Sequence, residues 1–353
     1  MKIELYNSEC LEKLKELPDN SVDAIVTDPP YFISFMNKGW DKEDSIASKK
    51  EFWAECLRVT KAGGYLLAFG HSRTHHRLFT AIEDGGWEIR DTIMWLYGSG
   101  FPKSHNIGKA IEATIKTGKS SPKALRETRM GDDYKPTGQV DYKKGRMFSS
   151  EIENDNTTQI INNDWEGWGT ALKPAHEPIC MARKPLEGTV AENVLKWGTG
   201  GINIDACRIG TETITINKLE EWSGFGEVKK PEYESTTSVG RFPANIILDE
   251  EAGTILDEQT DSASRFFYCP KVSSKERNKG CDKNNHPTVK PIALMEYLIK
   301  LVSKEEAIIL DPFMGSGSTG IAAKKLNRAF VGIEMDEGYY TIASKRIGKD
   351  KKE

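Results

Sequence analysis

The run "AIILDPFMGSGSTG", residues 307–320, limits the fold more than any other part of this chain. An apolar, strand-like segment ends at Asp311-Pro312-Phe313. A glycine-rich turn, Gly315-Ser316-Gly317-Ser318-Thr319-Gly320, then leads into a segment with the small residues Ala322 and Ala323. A G-x-G-x-x-G turn between strand and helix lets a ligand approach the backbone and the helix N-terminus closely. The next apolar run, "AFVGIEM" at 329–335, carries Glu334 near its end, where an acid can hydrogen-bond ribose hydroxyls. A nucleotide-like ligand fits this pattern. The plainer alternative is a tight turn beside a surface acid.

The rest of the chain supplies the setting such a turn needs. Residues 2–7 alternate as a short strand, and Leu11, Leu14 and Leu17 recur at helical spacing until Pro18-Asp19-Asn20 breaks the helix. Val22 to Val26 reads as a strand and 50–60 as a helix. Gly63-Gly64 reads as a turn before the strand "YLLAF" at 65–69. A helix over 71–82 and the strand "TIMWLY" at 92–97 follow. Pro291 suits the first turn of a helix through Leu294, Leu298 and Leu301, and "YYTIASKRI" at 339–347 reads as the last helix. Alternation of strand and helix predicts a mostly parallel sheet with helices on its faces. Between about 101 and 285 the pattern fails. Gly, Pro, Ser, Thr, Asn and charge dominate there, with Trp165, Trp168, Trp197 and Trp222 scattered among them, so this stretch reads as a separate, irregular insertion.

Composition excludes several classes. No apolar run approaches the roughly 20 residues of a membrane span, and "MKIELYNSEC" is a strand pattern rather than a signal peptide. A cytoplasmic protein with no membrane partner is expected. The six cysteines, Cys10, Cys56, Cys180, Cys207, Cys269 and Cys281, contain no C-x-x-C pair. Cys269, Cys281 and His286 lack a fourth ligand, and His71, His75 and His76 lack an accompanying acid motif, so no metal is expected. Net charge is −4, but 101–147 holds 11 Lys/Arg against 5 Asp/Glu and 265–290 holds 7 against 2. These stretches suit a local phosphate-binding face, with a solvated loop surface as the alternative.

Which nucleotide does the glycine turn serve? Only 33 residues follow Gly320, so no second mononucleotide half follows the fingerprint. Asp311 would lie close to the ligand, unfavourably for a pyrophosphate and favourably for a cationic amino-acid group. S-adenosylmethionine, with an adenosine, an ammonium, a sulfonium and no phosphate, fits better than NAD. An earlier strand ends in "TDPPYF" at 27–32. The amino group of a nucleobase is a poor nucleophile because its lone pair is delocalised into the ring. A site that methylates it must accept hydrogen bonds from both N–H groups. Asp28 supplies one acceptor, the Pro29 carbonyl a second, and Tyr31 a ring to stack on the base; Pro29 and Pro30 fix φ and contribute no N–H. Trp95 is a second candidate for stacking, with a core position as its alternative. Two readings from other classes stand beside this one: a NAD-dependent oxidoreductase, and a non-catalytic DNA-binding module with a degenerate pocket.

These stretches together resemble the amino-group DNA methyltransferases, adenine-N6 or cytosine-N4, of the β arrangement, in bacterial and phage-like form. In that family the Asp-Pro-Pro-Tyr motif comes first, target recognition follows, and the cofactor motif is last. The resemblance covers about 1–100 and 286–347 and rests on "TDPPYF", "HPTVKP" (286–291), "DPFMGSGSTG" and "GIEMDEGYY". The middle stretch "GWGTALKPAHEP" at 167–178 is also similar to phage and bacterial members. The resemblance implies a Rossmann-like S-adenosylmethionine-dependent methyltransferase sheet in circularly permuted order. Read from residue 307 to the end and then from residue 2, the elements form one continuous β-α-β-α-β-α-β series.

The implied segments are 1–100, the catalytic half; 101–285, the target-recognition region; and 286–353, the cofactor half. The implied catalytic residues are Asp28, Pro29, Pro30 and Tyr31. The implied cofactor residues are Glu9, Cys10, Asp28, Thr288, Lys290, Asp311, Pro312, Phe313, Gly315, Gly317, Ser318, Thr319 and Glu334. Where the family usually has Gly-Asp to bind the cofactor adenine, this chain has Ser8-Glu9, an acceptor on a longer arm. Aspartate at position 28 points to adenine, since relatives acting on cytosine more often carry serine there. The substrate would be double-stranded DNA with its target base extruded. A homodimer and a cognate restriction endonuclease are left open as partners.

Overall fold

Val22–Thr27, six consecutive buried residues, form the strand around which the sheet is ordered. A strand covered on both faces reads as a nearly unbroken apolar run. Its one acid, Asp23, is satisfied by Lys61 Nζ at 2.6 Å and the Ile308 N–H at 2.7 Å. The structure is a computed structural model and describes residues 2–33, 41, 44–98, 100, 104–117, 164–216, 236–268 and 289–348. Two compact units result, one from 1–99 with 175–353 and one from 100–174.

In the first unit the strands are β1 (Ile3–Asn7), β2 (Val22–Thr27), β3 (Thr60–Phe69), β4 (Glu88–Leu96), β5 (His176–Arg183), β6 (Ile209–Ile216), β7 (Thr236–Arg241), β8 (Ile246–Leu248), β9 (Ile308–Asp311) and β10 (Ala329–Glu334). Its helices are α1 (Cys10–Glu16), α2 (Lys50–Val59), α3 (His75–Asp84), α5 (Val190–Trp197), α6 (Glu250–Gln259), α7 (Ile292–Val302), α8 (Ser318–Lys325) and α9 (Glu337–Ile347); α4 (Ile107–Thr117) belongs to the second unit. Eight strands form one sheet in the order β1-β10-β9-β2-β3-β5-β4-β8, while β6 and β7 pair separately. From β1 through β3 all neighbours are parallel. β5 runs antiparallel between β3 and β4.

Counted from β9 in the permuted sense, and leaving out the edge strand β8, the strands stand in the sheet as 3-2-1-4-5-7-6, and the order reverses between β9 and β2. Ligands of open α/β sheets bind beyond the strand carboxyl ends at such a reversal. Both motifs singled out from sequence, at Asp28 and at Asp311, leave the sheet there.

Side chains alternate across the strands with period two. Ala24 and Val26 join the core cluster under α7, α8 and α9, with Leu294, Leu298, Ile321 and Ile347. Ile25 faces the opposite cluster, with Leu14, Phe52, Trp53 and Ile82 of α1, α2 and α3. Each Val, Leu, Ile or Phe among them, fully buried, contributes about 1.5–3 kcal/mol.

Two sequence expectations are corrected. Gly63-Gly64 is not a turn before a strand but lies inside β3. Val22 faces Thr60 and Ala24 faces Tyr65, so β3 carries three extra residues as a bulge, with Gly63 at φ +75°. The middle stretch 101–285 is not wholly an insertion outside the sheet, since β5 and β8 come from it. Six of the eight β5 residues, Pro178–Arg183, are buried because both edges of β5 are paired. Cys10, Cys56, Cys180 and Cys207 are buried free thiols; Cys269, Cys281, His286 and Trp222 lie outside the described residues. Among the described residues, no helix is long and apolar enough to cross a membrane.

Candidate active site

β2 ends at Thr27, whose hydroxyl donates to Asp311 Oδ1 at 2.7 Å and so ties the ends of β2 and β9 together. Asp28 follows, then Pro29 and Pro30, both buried. The chain then turns sharply. Phe32 sits at φ +61°, a costly conformation for a side chain of that size. Asp41 holds the turn: its Oδ1 accepts the Tyr31 N–H at 2.6 Å and the Phe32 N–H at 2.9 Å. The Thr74 hydroxyl donates to the Tyr31 carbonyl at 2.6 Å. Tyr31 is thus fixed along its backbone, and its side chain points back to Asp28.

Four polar side chains meet at that point. The Tyr31 hydroxyl lies 2.7 Å from Asp28 Oδ1 and 3.0 Å from Glu177 Oε2. Lys290 Nζ lies 2.8 Å from Asp28 Oδ2, 2.9 Å from the Tyr31 oxygen and 3.1 Å from Glu177 Oε2. The Lys290 side chain is 7% exposed, against 20% for Asp28 and 19% for Glu177. Its ammonium also lies 4.9 Å from the Phe69 ring centroid and 5.3 Å from that of Tyr31, within cation–π range. Burial alone would lower the Lys290 pKa; the carboxylates of Asp28 and Glu177 outweigh it and hold the ammonium above its ordinary range. Burial, reinforced by the same two carboxylates, keeps the Tyr31 phenol protonated well beyond its usual pKa. Two carboxylates around one ammonium leave the cluster negative, as stabilising a cationic amine requires.

The end of β9 is built differently. Asp311 is 2% exposed. Its Oδ1 accepts from Thr27 and, at 3.1 Å, from the Phe313 N–H, and its Oδ2 accepts from Thr319 at 2.6 Å. Burial lifts its pKa to about 6, although the Thr319, Thr27 and Phe313 hydrogen bonds pull it down. Asp311 therefore braces the glycine turn. Pro312 is buried, and Phe313 packs on Phe52 with ring centroids 5.1 Å apart. Glu334 binds the Gly315 N–H and the Asp336 N–H, each at 2.8 Å, and burial raises its pKa.

Gly317, at φ +83°, has no room for a side chain: a Cβ there would stand 2.9 Å from Ile347 Cδ1 and 3.1 Å from Ala343 Cβ. Its demand comes from α9, not only from a ligand. Ser318 and Thr319 open α8, and the Ser318 hydroxyl is buried with no hydrogen-bond partner among the described residues.

Glu9 is the N-cap of α1, accepting the Glu12 N–H at 2.8 Å, while its other oxygen accepts the Cys10 thiol at 3.3 Å. Burial, then Glu9, pushes the Cys10 thiol far above its ordinary pKa, so Cys10 acts as packing and not as a thiolate. β1 pairs with β10 so that Asn7 faces Glu334, which brings Glu9 and Glu334 to neighbouring strand ends. Thr288 lies outside the described residues. Lys290, one of the residues expected at the cofactor, contacts Asp28.

Glu177, Asp41, Thr27 and Thr74 were not singled out from sequence. Glu177 lies in the quoted stretch "LKPAHEP", but nothing local links it to Asp28. Trp95 packs against the core cluster, with Phe69 at 6.5 Å and Tyr97 at 5.5 Å between ring centroids.

A sheet reversing between β9 and β2, with a glycine turn on one end and an acid–proline–aromatic motif on the other, defines a methyltransferase arrangement. The chain matches the profile of the N6/N4 DNA methylases, described as DNA methylase, across residues 22–345, and belongs to that family. It is a DNA methyltransferase, and its methyl donor is S-adenosyl-L-methionine. The NAD-dependent and non-catalytic readings are thereby set aside. The chain is similar to the type II methyltransferase M.HindIII of Haemophilus influenzae, at 26% identity over 389 residues, covering 98% of this chain and 96% of that protein. It is 50% identical over 151 residues to the type II methyltransferase M2.LlaDCHI of Lactococcus lactis subsp. cremoris, covering 38% of this chain and 56% of that one. Among solved structures, the cytosine-N4-specific PvuII DNA methyltransferase aligns with a TM-score of 0.49 at 13% identity, over 99% of this chain and 88% of its own.

Proposed function

We propose that this enzyme transfers the methyl group of S-adenosylmethionine to the exocyclic N6 of adenine within a specific sequence of double-stranded DNA, after extruding the target base. The observation that carries the reading is Asp28, an acid at the end of β2 beside the order reversal, held by Lys290 and Tyr31. Asp28 and the Pro29 carbonyl accept the two amino protons, so the nitrogen lone pair is turned out of the ring toward the donor. The donor supplies an electrophilic methyl on a sulfonium. As the N–C bond forms, the S–C bond of the sulfonium breaks and S-adenosylhomocysteine leaves as a neutral thioether. The positive charge that grows on the nitrogen is stabilised by the negative cluster around Asp28 and is discharged when the nitrogen gives up one proton to solvent. Tyr31, with its hydroxyl anchored, offers a fixed ring for the base to stack on, offsetting part of the cost of extrusion.

The cofactor is held by the turn Gly315–Gly317 with Ser318, by Glu334 at the ribose and by Glu9 at the adenine. The unpartnered Ser318 hydroxyl and the two acids at adjacent strand ends support this placement. Adenine is favoured because relatives acting on cytosine more often carry serine at the position of Asp28. Residues 101–285 outside the sheet strands read the DNA, through phosphate contacts from the basic stretches 101–147 and 265–290 and base-edge contacts from polar side chains. Two type II relatives support a partner endonuclease with the same recognition sequence and a cytoplasmic setting.

The test is tritium transfer from labelled S-adenosylmethionine to unmethylated double-stranded DNA, followed by digestion and separation of nucleosides. Label in N6-methyladenine is expected. Label in N4-methylcytosine would overturn the choice of base. DNA affinity should fall steeply with salt, because each neutralised phosphate releases counterions; a flat salt response would remove the basic stretches from the account.

A further inference from the structure

We propose that Glu177 is a positioning residue for methyl transfer. It takes over the Tyr31 hydroxyl and Lys290 when a target amine engages Asp28, leaving Asp28 as the acceptor for that amine. This inference rests on the amino-methyltransferase reading and goes beyond it, since that reading gives Glu177 no role.

The topology explains how Glu177 reaches the site. In the parallel part of the sheet, only strand ends lie at the active edge. β5 is antiparallel, so its start lies there, with Phe69 facing Ile179 and Trp95 facing Glu177. Glu177, the second residue of β5, therefore reaches the same edge as Asp28, the residue after β2.

The geometry explains what it does there. Both donors that hold Asp28 also touch Glu177 Oε2. Tyr31 lies 2.7 Å from Asp28 and 3.0 Å from Glu177; Lys290 lies 2.8 Å and 3.1 Å away respectively. A shift of a few tenths of an ångström reverses the preference, with no side chain leaving its rotamer well. Tyr31 has one proton to donate, so a full hydrogen bond to Glu177 releases Asp28 Oδ1 for the amine. Lys290 alone would oppose the positive charge that develops on the methylated nitrogen. A second carboxylate beside it cancels that opposition and gives the ammonium another partner. With neutral glutamine in its place, one ammonium would face one carboxylate, and Asp28 would remain paired to Lys290.

The experiment uses the full chain, tritiated S-adenosylmethionine and double-stranded DNA from a host lacking adenine methylation. Glu177→Gln, Lys290→Met and the double variant are compared in single-turnover transfer, in calorimetric S-adenosylmethionine affinity and in melting temperature. Glu177→Gln should slow transfer by about 30-fold to 100-fold and leave cofactor affinity within about two-fold of wild type. In the Lys290→Met background the same change should cost less than about three-fold, because the ammonium it balances is gone. Glu177→Asp, which keeps the charge on a shorter arm, should recover part of the lost rate. Transfer at the wild-type rate in Glu177→Gln, or effects that multiply in the double variant, would overturn the inference while wild-type activity leaves the methyltransferase reading standing. A wild type that labels no DNA would overturn both.

Discussion

The ends of β2 and β9 lie side by side, each closing on an aspartate followed by proline, yet the two aspartates are held in opposite ways. Asp311 is bound by its own loop, through Phe313 two residues on and Thr319 eight residues on, with Thr27 as the one distant donor. Asp28 is bound by Tyr31 three residues on and by Lys290, 262 residues away in sequence, while Tyr31 itself reaches Glu177 across 146 residues. The first arrangement is 2% exposed and fixes a backbone shape. The second is partly open, with 20% of the Asp28 side chain accessible, and its donors have a second acceptor at hand. A cofactor loop works by holding still. The proposed reacting acid would work by changing partners, and the cluster around it comes from three separate parts of the chain.

Substitutions at the rigid end should carry the largest effects on folding stability. Gly317→Val places a β-branched side chain at φ +83°, with its Cβ 2.9 Å from Ile347. A loss of roughly 3 kcal/mol or more in folding stability is expected, together with loss of S-adenosylmethionine binding. A melting curve and a binding isotherm near wild type would show that the turn is less constrained than its geometry indicates.

Next comes Asp311→Asn, whose effect depends on pH. The folded-state pKa of Asp311, about 6, lies above the ordinary carboxylate value. Its stabilising contribution is therefore complete below about pH 4 and is lost as pH rises through 6, amounting to roughly 3 kcal/mol. The asparagine variant lacks that loss and should gain on wild type between pH 4 and 7. Urea unfolding across this window checks it; a stability difference that stays constant with pH would contradict the burial argument.

The rigid end was largely legible in the sequence because its interactions are local. A strand, a proline, glycines at fixed spacing and a helix with small residues appear in order within sixteen positions, and the structure keeps that order from Ile308 through Ala323. The parallel strands were legible for the same reason, as apolar runs between helical repeats. The reacting end was legible only in part. Asp28-Pro29-Pro30-Tyr31 is a contiguous motif, but the roles of Lys290 and Glu177 depend on strand neighbours that no local pattern specifies. β5 itself was hidden because its apolar core, "PICMAR", sits in surroundings rich in glycine, proline and charge. The bulge at Gly63-Gly64 reads locally as a turn, since glycine at positive φ serves both.

The smallest effect is expected at Trp95. Its ring packs on the core, and its indole N–H is buried with no partner among the described residues. Trp95→Phe removes that donor along with part of the ring, so stability should change by less than about 1 kcal/mol and transfer by less than about three-fold. A large loss of transfer with unchanged stability would move Trp95 from the core to the target base.

The separation of the two strand ends is tested most directly by Asp28→Ala, followed by calorimetry with S-adenosylmethionine and by single-turnover methyl transfer to DNA. In the proposed mechanism Asp28 serves the target amine, while the glycine turn, Glu334 and Glu9 hold the donor. Cofactor affinity should therefore stay within about three-fold of wild type, while transfer falls by about a thousand-fold or more. Parallel loss of affinity and transfer would contradict the account, because it would place Asp28 in the cofactor site and leave the reacting end without its acid.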